Sequence, residues 1–385
     1  MATGIFLSFV VRWVYITGHK RMLNMGKKIV LTGGGTAGHV TPNIALLPSL
    51  REGGFEISYI GTYEGIEKTL ISQQGIPYYG IASGKLRRYF DWQNFTDPFR
   101  VVHGFFQAKT LLKQIRPDVI FSKGGFVSVP VVRAAASLRI PTIIHESDMT
   151  PGLANRLAIP AADKVCCSFP ETMKYLPEGK AVLTGSPIRR ELLEGSRDSA
   201  LSFLGWKEDD KPTLLVTGGS QGSAVINRAL RQDLDQLLPE FRIIHLCGKG
   251  NLDDTLTGKE GYIQLEYVSD ELKDLYALCD LVLSRAGANS ICELLALRKP
   301  NLLIPLSAAS SRGDQILNAD SYKRQGYSMV LKEELLTPES LLRSLQELYR
   351  DRDRYISAMS KSSQSAAIDL IMDLIRESCG SRKSK

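Results

Sequence analysis

A histidine follows a glycine-rich turn near the start of the chain, in the stretch 27-KKIVLTGGGTAGHVTP-42. His39 stands directly after Gly38 and is predicted to project from the end of the preceding strand. Its ordinary pKa of about 6.5 suits removal of a proton from a hydroxyl group at neutral pH. We interpret His39 as a general base; the alternative is a histidine that only hydrogen-bonds within its own turn. A second histidine, His145, is more readily interpreted as a buried residue at a strand end.

The first turn satisfies the spacing G-x-G-x-x-G, which is typical of dinucleotide-binding folds. That pattern also requires an acidic residue about twenty positions further on, at the end of the second strand. The second predicted strand, 56-EISYIGT-62, ends without a carboxylate. Nicotinamide binding is therefore disfavoured, and the glycines either contact another ligand or only permit a tight turn.

Two further glycine turns precede helices in the second half of the chain. The turn 218-GGSQG-222 precedes a helix predicted to start near Ala224. The free N–H groups and the dipole of a helix N-terminus favour an anion, so this turn predicts a diphosphate site. In 284-SRAGANSICE-293, Glu293 falls one or two turns into the next helix, where its carboxylate could accept hydrogen bonds from both hydroxyls of a ribose. The alternative is an ordinary surface glutamate.

Amide side chains follow the apolar strand 301-NLLIPL-306, in the segment 313-GDQILNAD-320. Gln315 and Asn318 suit sugar hydroxyls because an amide both donates and accepts hydrogen bonds. The alternative is that Asp314 only caps a helix here.

Aromatic and basic residues alternate in 84-GKLRRYFDWQNFTDPFRVVHGFFQAKTLLK-113. From Gly84 to Ile140 the chain carries ten Lys and Arg against three Asp, a net +7 that equals the net charge of the whole chain. This composition fits anionic lipid, because rings enter the acyl boundary while cations meet headgroups. Nucleic acid is the rival partner, and a solvated helix that packs its aromatic residues into the core is the third interpretation.

The elements that must position these residues alternate between short apolar strands and helical patterns, which favours a parallel sheet covered on both faces. The pattern restarts at 213-TLLVTGGSQGS-223, after the charged stretch 207-KEDDKP-212. The sequence therefore predicts an α/β fold with two doubly wound halves and a cleft between them. The predicted strands are 28-KIVLTGG-34, 57-ISYIGT-62, 118-DVIFSKGG-125, 142-TIIHES-147, 164-KVCCSF-169, 181-AVLTGSP-187, 213-TLLVT-217, 242-RIIHLCG-248, 262-YIQLEYV-268, 280-DLVLSRAGA-288 and 301-NLLIPL-306.

A chain of 385 residues with 43% apolar content is long enough for two or three domains. Its six cysteines form no C-x-x-C pair, so we interpret them as reduced core residues of a cytosolic protein. The apolar stretch 5-IFLSFVVRWVYI-16 is shorter than the roughly 20 residues of a membrane-spanning helix and contains Arg12. We interpret residues 1–24 as an extension that precedes the fold. Whether the cell translates this extension is left open.

Six segments, GGGTAGHVTP, SKGGFVSVPVV, HESDMTPGLANR, GSPIR, TGGSQG and SRAGANSICE, resemble in this order the motifs of the MurG family. Members of that family are peripheral membrane enzymes that transfer N-acetylglucosamine from UDP-N-acetylglucosamine to a lipid-linked muramyl-pentapeptide. The resemblance runs from about Lys27 to beyond Asn318. It implies the GT-B architecture, in which two Rossmann-like domains, here 25–190 and 191–385, face each other across a cleft.

The resemblance implies that the C-terminal half binds the donor. Glu293 would bind the ribose hydroxyls, the main chain of Val268 would recognise uracil, and Gln315 would contact the sugar. His39 would act as general base on the C4 hydroxyl of the muramyl acceptor, in an inverting transfer that requires no metal and no cofactor. The other residues expected near the donor are Thr36, Ala37, Gly38, Arg189, Ser220, Gln221 and Ala288. Many members have asparagine where this chain has Asp148, so no role is assigned to Asp148.

The resemblance also implies a location and partners. The protein would dock on anionic lipid of the inner leaflet, where the undecaprenyl-linked acceptor is confined, and would meet other proteins of cell-wall synthesis but no nucleic acid. The residues expected at the membrane are Leu86, Arg87, Arg88, Tyr89, Phe90 and Trp92. One alternative is a non-hydrolysing UDP-sugar epimerase of the same fold, which would leave the basic segment unexplained. A lipid or nucleic-acid adaptor is the other, and the intact donor motifs count against it.

Overall fold

The computed structural model describes residues 26–84, 93–219, 222–308 and 313–380. Two compact units result, each with its own parallel sheet. The first unit comprises Met1–Glu146, Thr150–Pro187 and Ala366–Lys385, and the second comprises Ser147–Met149 and Ile188–Ser365. The proposed extension, residues 1–24, lies outside the described residues.

Seven parallel strands form the sheet of the first unit, in the order β3-β2-β1-β4-β5-β6-β7. In the register of its central pairs, Ile29 lies opposite both Ile57 and Val119. The strands are β1 Lys28–Thr32, β2 Glu56–Thr62, β3 Tyr78–Ile81, β4 Val119–Ser122, β5 Thr142–Glu146, β6 Lys164–Cys167 and β7 Ala181–Leu183. The helices are α1 Thr41–Glu52, α2 Ile66–Ser72, α3 Gln93–Ile115, α4 Ser128–Ser137 and α5 Leu153–Ala158.

Six parallel strands form the sheet of the second unit, in the order β10-β9-β8-β11-β12-β13. The strands are β8 Thr213–Thr217, β9 Arg242–Leu246, β10 Tyr262–Leu265, β11 Leu281–Ser284, β12 Asn301–Leu303 and β13 Met329–Val330. The helices are α6 Arg197–Leu204, α7 Ala224–Gln232, α8 Leu234–Leu237, α9 Leu272–Leu278, α10 Ala288–Ala296, α11 Asp314–Arg324, α12 Pro338–Arg350 and α13 Arg352–Ser360. Local signals set several helix starts: Ser196 caps α6, Ser223 caps α7, and Thr337 with Ser340 forms a capping box at α12.

The last helix of the described chain, α14 Ala367–Gly380, belongs to the first unit. It contacts α1, β4 and β5, and it buries Ile371, Met372 and Ile375 in the core of that unit. A single C-terminal domain over 191–385 therefore does not describe the fold, because this amphipathic helix covers the first sheet. Its apolar periodicity predicts a helix but carries no information about which sheet the helix covers.

Alternate residues of β1 supply the two apolar layers of the first unit. Ile29 and Leu31 join the cluster that contains α1 and α14, whereas Val30 joins the cluster that contains Ala108 and Leu112 of α3. This alternation follows from the period of two in a strand, and burial on both faces explains the continuous apolar pattern.

Two strands, β3 and β13, are absent from the sequence prediction. Each lies at an edge of its sheet, and β13 has only two residues. Edge strands are half exposed and short, so their composition resembles that of loops.

Both sheets reverse their strand order next to the first strand of the unit, between β1 and β4 and between β8 and β11. Parallel α/β sheets bind ligands at the carboxyl ends of strands at such points. The glycine turns after β1 and β8 lie there.

Candidate active site

His39 ends a 3-10 turn, Ala37–His39, between the glycine turn and α1. Its main-chain N–H donates to the carbonyl of Thr36 at 3.1 Å, and its Nδ1 lies 3.0 Å from the Thr36 hydroxyl. The side chain is half-buried. The sequence-based alternative, hydrogen bonding within the turn, is therefore present in the structure and fixes the ring.

Burial, and to a smaller extent the positive charge of Lys123, lowers the pKa of His39 to about 4. A hydrogen bond to the main chain of Gly34 and the negative charge of Glu67 act in the opposite direction. His39 is therefore neutral at neutral pH, the form in which an imidazole accepts a proton.

His145 lies at the end of β5 and is fully buried. Its Nε2 donates to the carbonyl of Gly185 at 2.7 Å, while its Nδ1 accepts from the ammonium group of Lys123 at 2.6 Å. Burial and the Lys123 charge hold the pKa of His145 well below its usual range. The interpretation of His145 as a buried strand-end residue is confirmed, and no surface of the imidazole is left for a substrate.

The glycine turn of the second unit joins β8 to α7. Gly219 and Gly222 have φ angles of 89° and 75°, in the region that favours glycine. The Ser223 hydroxyl accepts a hydrogen bond from the main-chain N–H of Ile226 and so caps α7. The helix begins at Ala224, as predicted. Ser220 and Gln221 lie outside the described residues.

Arg285, the first residue after β11, is buried and connects three elements around this turn. One Nη donates to the Ser223 hydroxyl at 2.7 Å, and the other donates to the carbonyl of Ile304 at 3.1 Å. The guanidinium also forms an ion pair with Glu333, which is itself mostly buried. This network attaches the start of α7 to the ends of β11 and β12.

A cavity of about 460 Å³ opens at this edge of the second sheet. It is lined by Gly218, Gly219, Gly222, Ser223, Ala224, Val225, Arg285, Leu306 and Gln315. The N-terminus of α7 and a guanidinium thus meet in one concave site, a combination that suits a phosphate group. Gln315 is also fixed, because its carbonyl oxygen accepts from the main-chain N–H of Leu306 at 3.1 Å.

Glu293 lies on α10, between one and two turns from its start, as predicted. Burial raises the pKa of its carboxyl group to about 7, although the positive charge of Arg189 opposes the shift. Arg189, half-buried, directly precedes the 3-10 turn Arg190–Leu193. The carboxyl group is therefore poised between its two protonation states near neutral pH, and two hydroxyl donors would favour the ionised form.

The remaining predicted donor residues occupy strand ends or helix starts. Val268 is buried just after β10, and Ala288 is the first residue of α10. The buried Asn318 donates to the carbonyl of Ala286 at 3.1 Å, so its amide supports the turn after β11. Asp314 is the first residue of α11 but does not cap it; the cap position belongs to Gly313. Thr36, Ala37 and Gly38 belong to the His39 turn of the first unit.

The six residues predicted at the membrane, Leu86 to Phe90 and Trp92, lie outside the described residues. The adjacent helix α3 nevertheless exposes an apolar row that sequence analysis did not single out. Phe99, Val102 and Phe106 are exposed by 78%, 55% and 60%. Their spacing, continued by Lys109 and Lys113, places them on one helix face. Within the described ranges, none of the helices is both long and apolar enough to span a bilayer.

Lys123, Glu67 and Ser223 also contribute to the two strand-end regions and escaped the sequence analysis. Each of these side chains packs against one or more glycines that leave space for it. These contacts join residues that the folded structure brings together, so the sequence pattern did not reveal them. Across the described ranges, no group of three or more His, Cys, Asp and Glu residues could hold a metal ion.

Two family models match the chain: the glycosyltransferase family 28 N-terminal domain at residues 29–167 and the C-terminal domain of the same family at 213–374. A relative from Lachnospira eligens is 64% identical over 351 residues, which are 91% of this chain and 99% of the relative. Its name is UDP-N-acetylglucosamine--N-acetylmuramyl-(pentapeptide) pyrophosphoryl-undecaprenol N-acetylglucosamine transferase.

Solved structures agree with the two-unit fold. The crystal structure of Acinetobacter baumannii MurG matches with a TM-score of 0.72 at 28% identity, covering 91% of this chain and 99% of that one. The UDP-GlcNAc 2-epimerase from Neisseria meningitidis, bound to UDP-GlcNAc, matches with a TM-score of 0.64 at 13% identity, covering 91% and 100%. The likeness to the epimerase shows a shared fold alone, so it lends no weight to the epimerase interpretation.

Proposed function

Because this chain belongs to glycosyltransferase family 28, we propose that it transfers N-acetylglucosamine from UDP-N-acetylglucosamine to the C4 hydroxyl of undecaprenyl-pyrophosphoryl-N-acetylmuramyl-pentapeptide, a step of peptidoglycan synthesis. The observation that carries the proposal is the 64% identity over 99% of a relative named for this transfer. The cavity beside the glycine turn of the second unit and the neutral histidine of the first unit support it chemically.

His39 is the general base of the proposed reaction. In the tautomer in which Nδ1–H donates to the Thr36 hydroxyl, Nε2 carries the lone pair that accepts the proton of the C4 hydroxyl. The resulting oxygen nucleophile attacks the anomeric carbon of the donor from the face opposite UDP. The new glycosidic bond forms as the bond to the diphosphate breaks, so the configuration at that carbon inverts.

UDP leaves with negative charge on its β-phosphate. The N-terminus of α7, the glycine turn before it and the side chains of Ser220 and Gln221 stabilise that charge in the proposed complex. Arg285 holds the turn in place through Ser223. The scheme uses no metal and no cofactor, because the helix N-terminus and the guanidinium supply the positive potential.

The rest of the donor is bound by the other predicted site residues. Glu293 accepts hydrogen bonds from the ribose hydroxyls, the main chain of Val268 binds uracil, and Gln315 contacts the acetylglucosamine. The other residues expected at the donor are Thr36, Ala37, Gly38, Arg189 and Ala288.

We further propose that α3 docks the protein on the inner leaflet of the membrane. Phe99, Val102 and Phe106 would enter the lipid interface, and Lys109 and Lys113 on the same face would meet anionic headgroups. The residues from Leu86 to Trp92 precede this helix and extend the same composition. Docking brings the enzyme to an acceptor whose undecaprenyl chain keeps it in the membrane. Other proteins of cell-wall synthesis are expected partners there.

The decisive test is transfer of radiolabelled N-acetylglucosamine to a short-chain lipid-linked muramyl-pentapeptide by the wild type and by His39→Ala. Wild-type transfer that falls at least about a hundredfold in the variant supports both the reaction and the role of His39. A variant that keeps its rate places the base elsewhere. A wild type that binds UDP-N-acetylglucosamine without transferring it contradicts the proposed acceptor and favours an epimerase.

A further inference from the structure

Glu67, on α2, is a fully buried carboxylate that joins the end of β2 to the His39 turn. Its Oε1 accepts hydrogen bonds from the main-chain N–H of Thr62 at 3.1 Å and from the Thr62 hydroxyl at 2.6 Å. Its Oε2 accepts from the main-chain N–H of Gly35 at 3.1 Å. The carboxylate therefore holds the glycine turn through a main-chain atom four residues before His39.

Three glycines leave the space that this carboxylate occupies. A Cβ atom added to Gly34, Gly61 or Gly65 would approach the Glu67 side chain to less than 3.0 Å, which real Cβ atoms essentially never show. Two of these glycines, Gly61 and Gly65, lie outside the turn that carries His39. Glu67 explains the glycine at position 65, whereas a Cβ on Gly61 would meet the Tyr78 hydroxyl as well as Glu67.

Lys123 approaches the same turn from the opposite side, directly after β4. Its main-chain N–H donates to the carbonyl of Thr32 at 2.9 Å, and a Cβ on Gly33 would lie 3.3 Å from the Lys123 Cβ. The side chain is buried, and its ammonium group lies 2.6 Å from His145 Nδ1. A cation and an anion, both buried, thus enclose the segment that ends in His39.

We propose that Glu67 and Lys123 are positioning residues for the transfer reaction, which hold the His39 turn between them and set the charge environment of its imidazole. Glu67 acts from α2 through Gly35, and Lys123 acts from the end of β4. The proposal rests on the role of His39 as the base. Neither residue needs to contact the acceptor or the donor.

The two charges have opposite effects on the imidazole. Lys123 disfavours the protonated form of His39 and Glu67 favours it, while Thr36, His145 and the hydroxyls of Tyr59 and Tyr78 contribute no net charge nearby at neutral pH. Loss of Lys123 should therefore raise the pKa of His39 above its value of about 4. Loss of Glu67 should release the turn without raising that pKa.

The test titrates His39 directly, by NMR of the full chain labelled with ¹⁵N-histidine, in the wild type, Lys123→Met and Glu67→Gln. His39→Gln assigns the signal among the five histidines. Lys123→Met is expected to raise the titration midpoint of His39 by about one pH unit. The exposed neighbour Lys68 supplies the matched control, Lys68→Met, whose midpoint should equal that of the wild type. An unchanged midpoint in Lys123→Met would overturn the proposal for Lys123.

Kinetics of transfer test Glu67. Glu67→Gln places an amide NH2 where the Gly35 N–H needs an acceptor, so the His39 turn loses this hydrogen bond. We expect kcat to fall about tenfold or more, while the KM for UDP-N-acetylglucosamine stays unchanged. Glu64→Gln, an exposed change in the same segment, should leave both parameters unchanged. A Glu67→Gln enzyme that melts at the wild-type temperature and keeps its kcat would contradict the positioning role.

These readouts separate the proposal from the role of His39 in catalysis. If His39→Ala keeps its transfer rate, the base has been misassigned, yet the NMR titration still reports whether Lys123 controls the His39 environment. If His39→Ala is inactive and the midpoint does not move in Lys123→Met, the base assignment stands and the proposal for Lys123 is wrong.

Discussion

Six strands of the first sheet follow the same order as the six strands of the second, but the surroundings of the turn where that order reverses differ between the two units. In the first unit, the turn after β1 is surrounded by ionisable side chains, His39, Glu67 and Lys123, of which two are fully buried. In the second unit, the turn after β8 borders a cavity, and Arg285, a cation that lines this cavity, is held by three partners. Proton transfer requires a group whose charge can change, whereas anion binding requires donors that stay in place.

The starts of the two helices show the same difference. Ser223 caps α7 with its hydroxyl, and Arg285 in turn fixes that hydroxyl. At α1 the cap position is held by Val40, which offers no side-chain hydrogen bond, and the preceding turn is stabilised through Glu67 instead. A similar glycine pattern is therefore stabilised in two ways, by a hydroxyl and a guanidinium in the second unit and by a carboxylate in the first.

The largest effects are expected where each glycine turn touches a neighbouring main chain. A Cβ on Gly125 would lie under 3.0 Å from the carbonyl oxygen of Gly34, and one on Gly222 would meet the carbonyl oxygen of Cys247 as closely. Gly125→Ala and Gly222→Ala should each lower the free energy of unfolding by about 3 kcal/mol or more, because backbone atoms must move. Thermal unfolding measures the loss, and Gly222→Ala should also abolish donor binding.

Matched controls for these changes are Gly75→Ala and Gly250→Ala. Both glycines have positive φ, but a Cβ on either would meet no atom within 4 Å. Each change should cost only about 1 kcal/mol of backbone strain. Equal losses for the crowded and the open glycines would show that conformational strain, rather than contact between the turns and their neighbours, dominates.

Arg285→Met tests whether the second unit depends on a fixed cation. It leaves Glu333 buried without its partner, so the free energy of unfolding should fall by about 3 kcal/mol. Adding Glu333→Gln should restore part of that stability but none of the lost donor affinity. Calorimetry with UDP-N-acetylglucosamine and thermal unfolding separate the two effects. Full recovery of affinity in the double variant would show that Arg285 acts through Glu333 alone.

Glu293 should make donor binding depend on pH. Its pKa is raised to about 7, so the ionised form that accepts two ribose hydroxyls disappears as pH falls through that value. The affinity for UDP-N-acetylglucosamine should be about tenfold lower at pH ~6 than at pH ~8. The diphosphate of this donor does not titrate in that range, so the change reports the protein. Glu293→Gln should weaken binding and remove the pH dependence; a variant that retains it points to another group.

The smallest effect is expected at Asp233, which directly follows the C-terminal end of α7. Its side chain is fully buried, and neither carboxylate oxygen has a hydrogen-bond partner among the described residues. Burial raises its pKa to about 6, so the folded state favours the protonated form and loses stability as pH rises from about 4 to about 6. Asp233→Asn should stabilise the protein by about 1 kcal/mol above pH ~6 and by nothing below pH ~4. Its transfer rate should equal that of the wild type.

The central strands and their glycine turns were predictable because burial on both faces imposes a continuous apolar pattern on a parallel strand. The start of α7 at Ala224 and the position of Glu293 on α10 followed from the same local signals and are confirmed. His145 was also placed correctly, as a buried residue at a strand end. These features depend on residues close together in the chain.

Long-range contacts escaped prediction. Nothing in the sequence of β1, Lys28–Thr32, indicates that a helix near residue 370 covers it. Helix α14 was therefore assigned to the wrong half of the chain. The roles of Glu67 and Lys123 were equally hidden, because each is separated from His39 by at least a strand and a helix.

By itself, the sequence determined the α/β class, the order of the central strands along the chain and the glycine turns with their catalytic and carboxylate candidates, since these follow from local periodicity and residue chemistry. Only the tertiary structure decided which side chains surround each turn, which sheet α14 covers, and which protonation state His39 adopts. Burial and electrostatic interactions act through space between residues distant in sequence, so they exist only after the chain has folded.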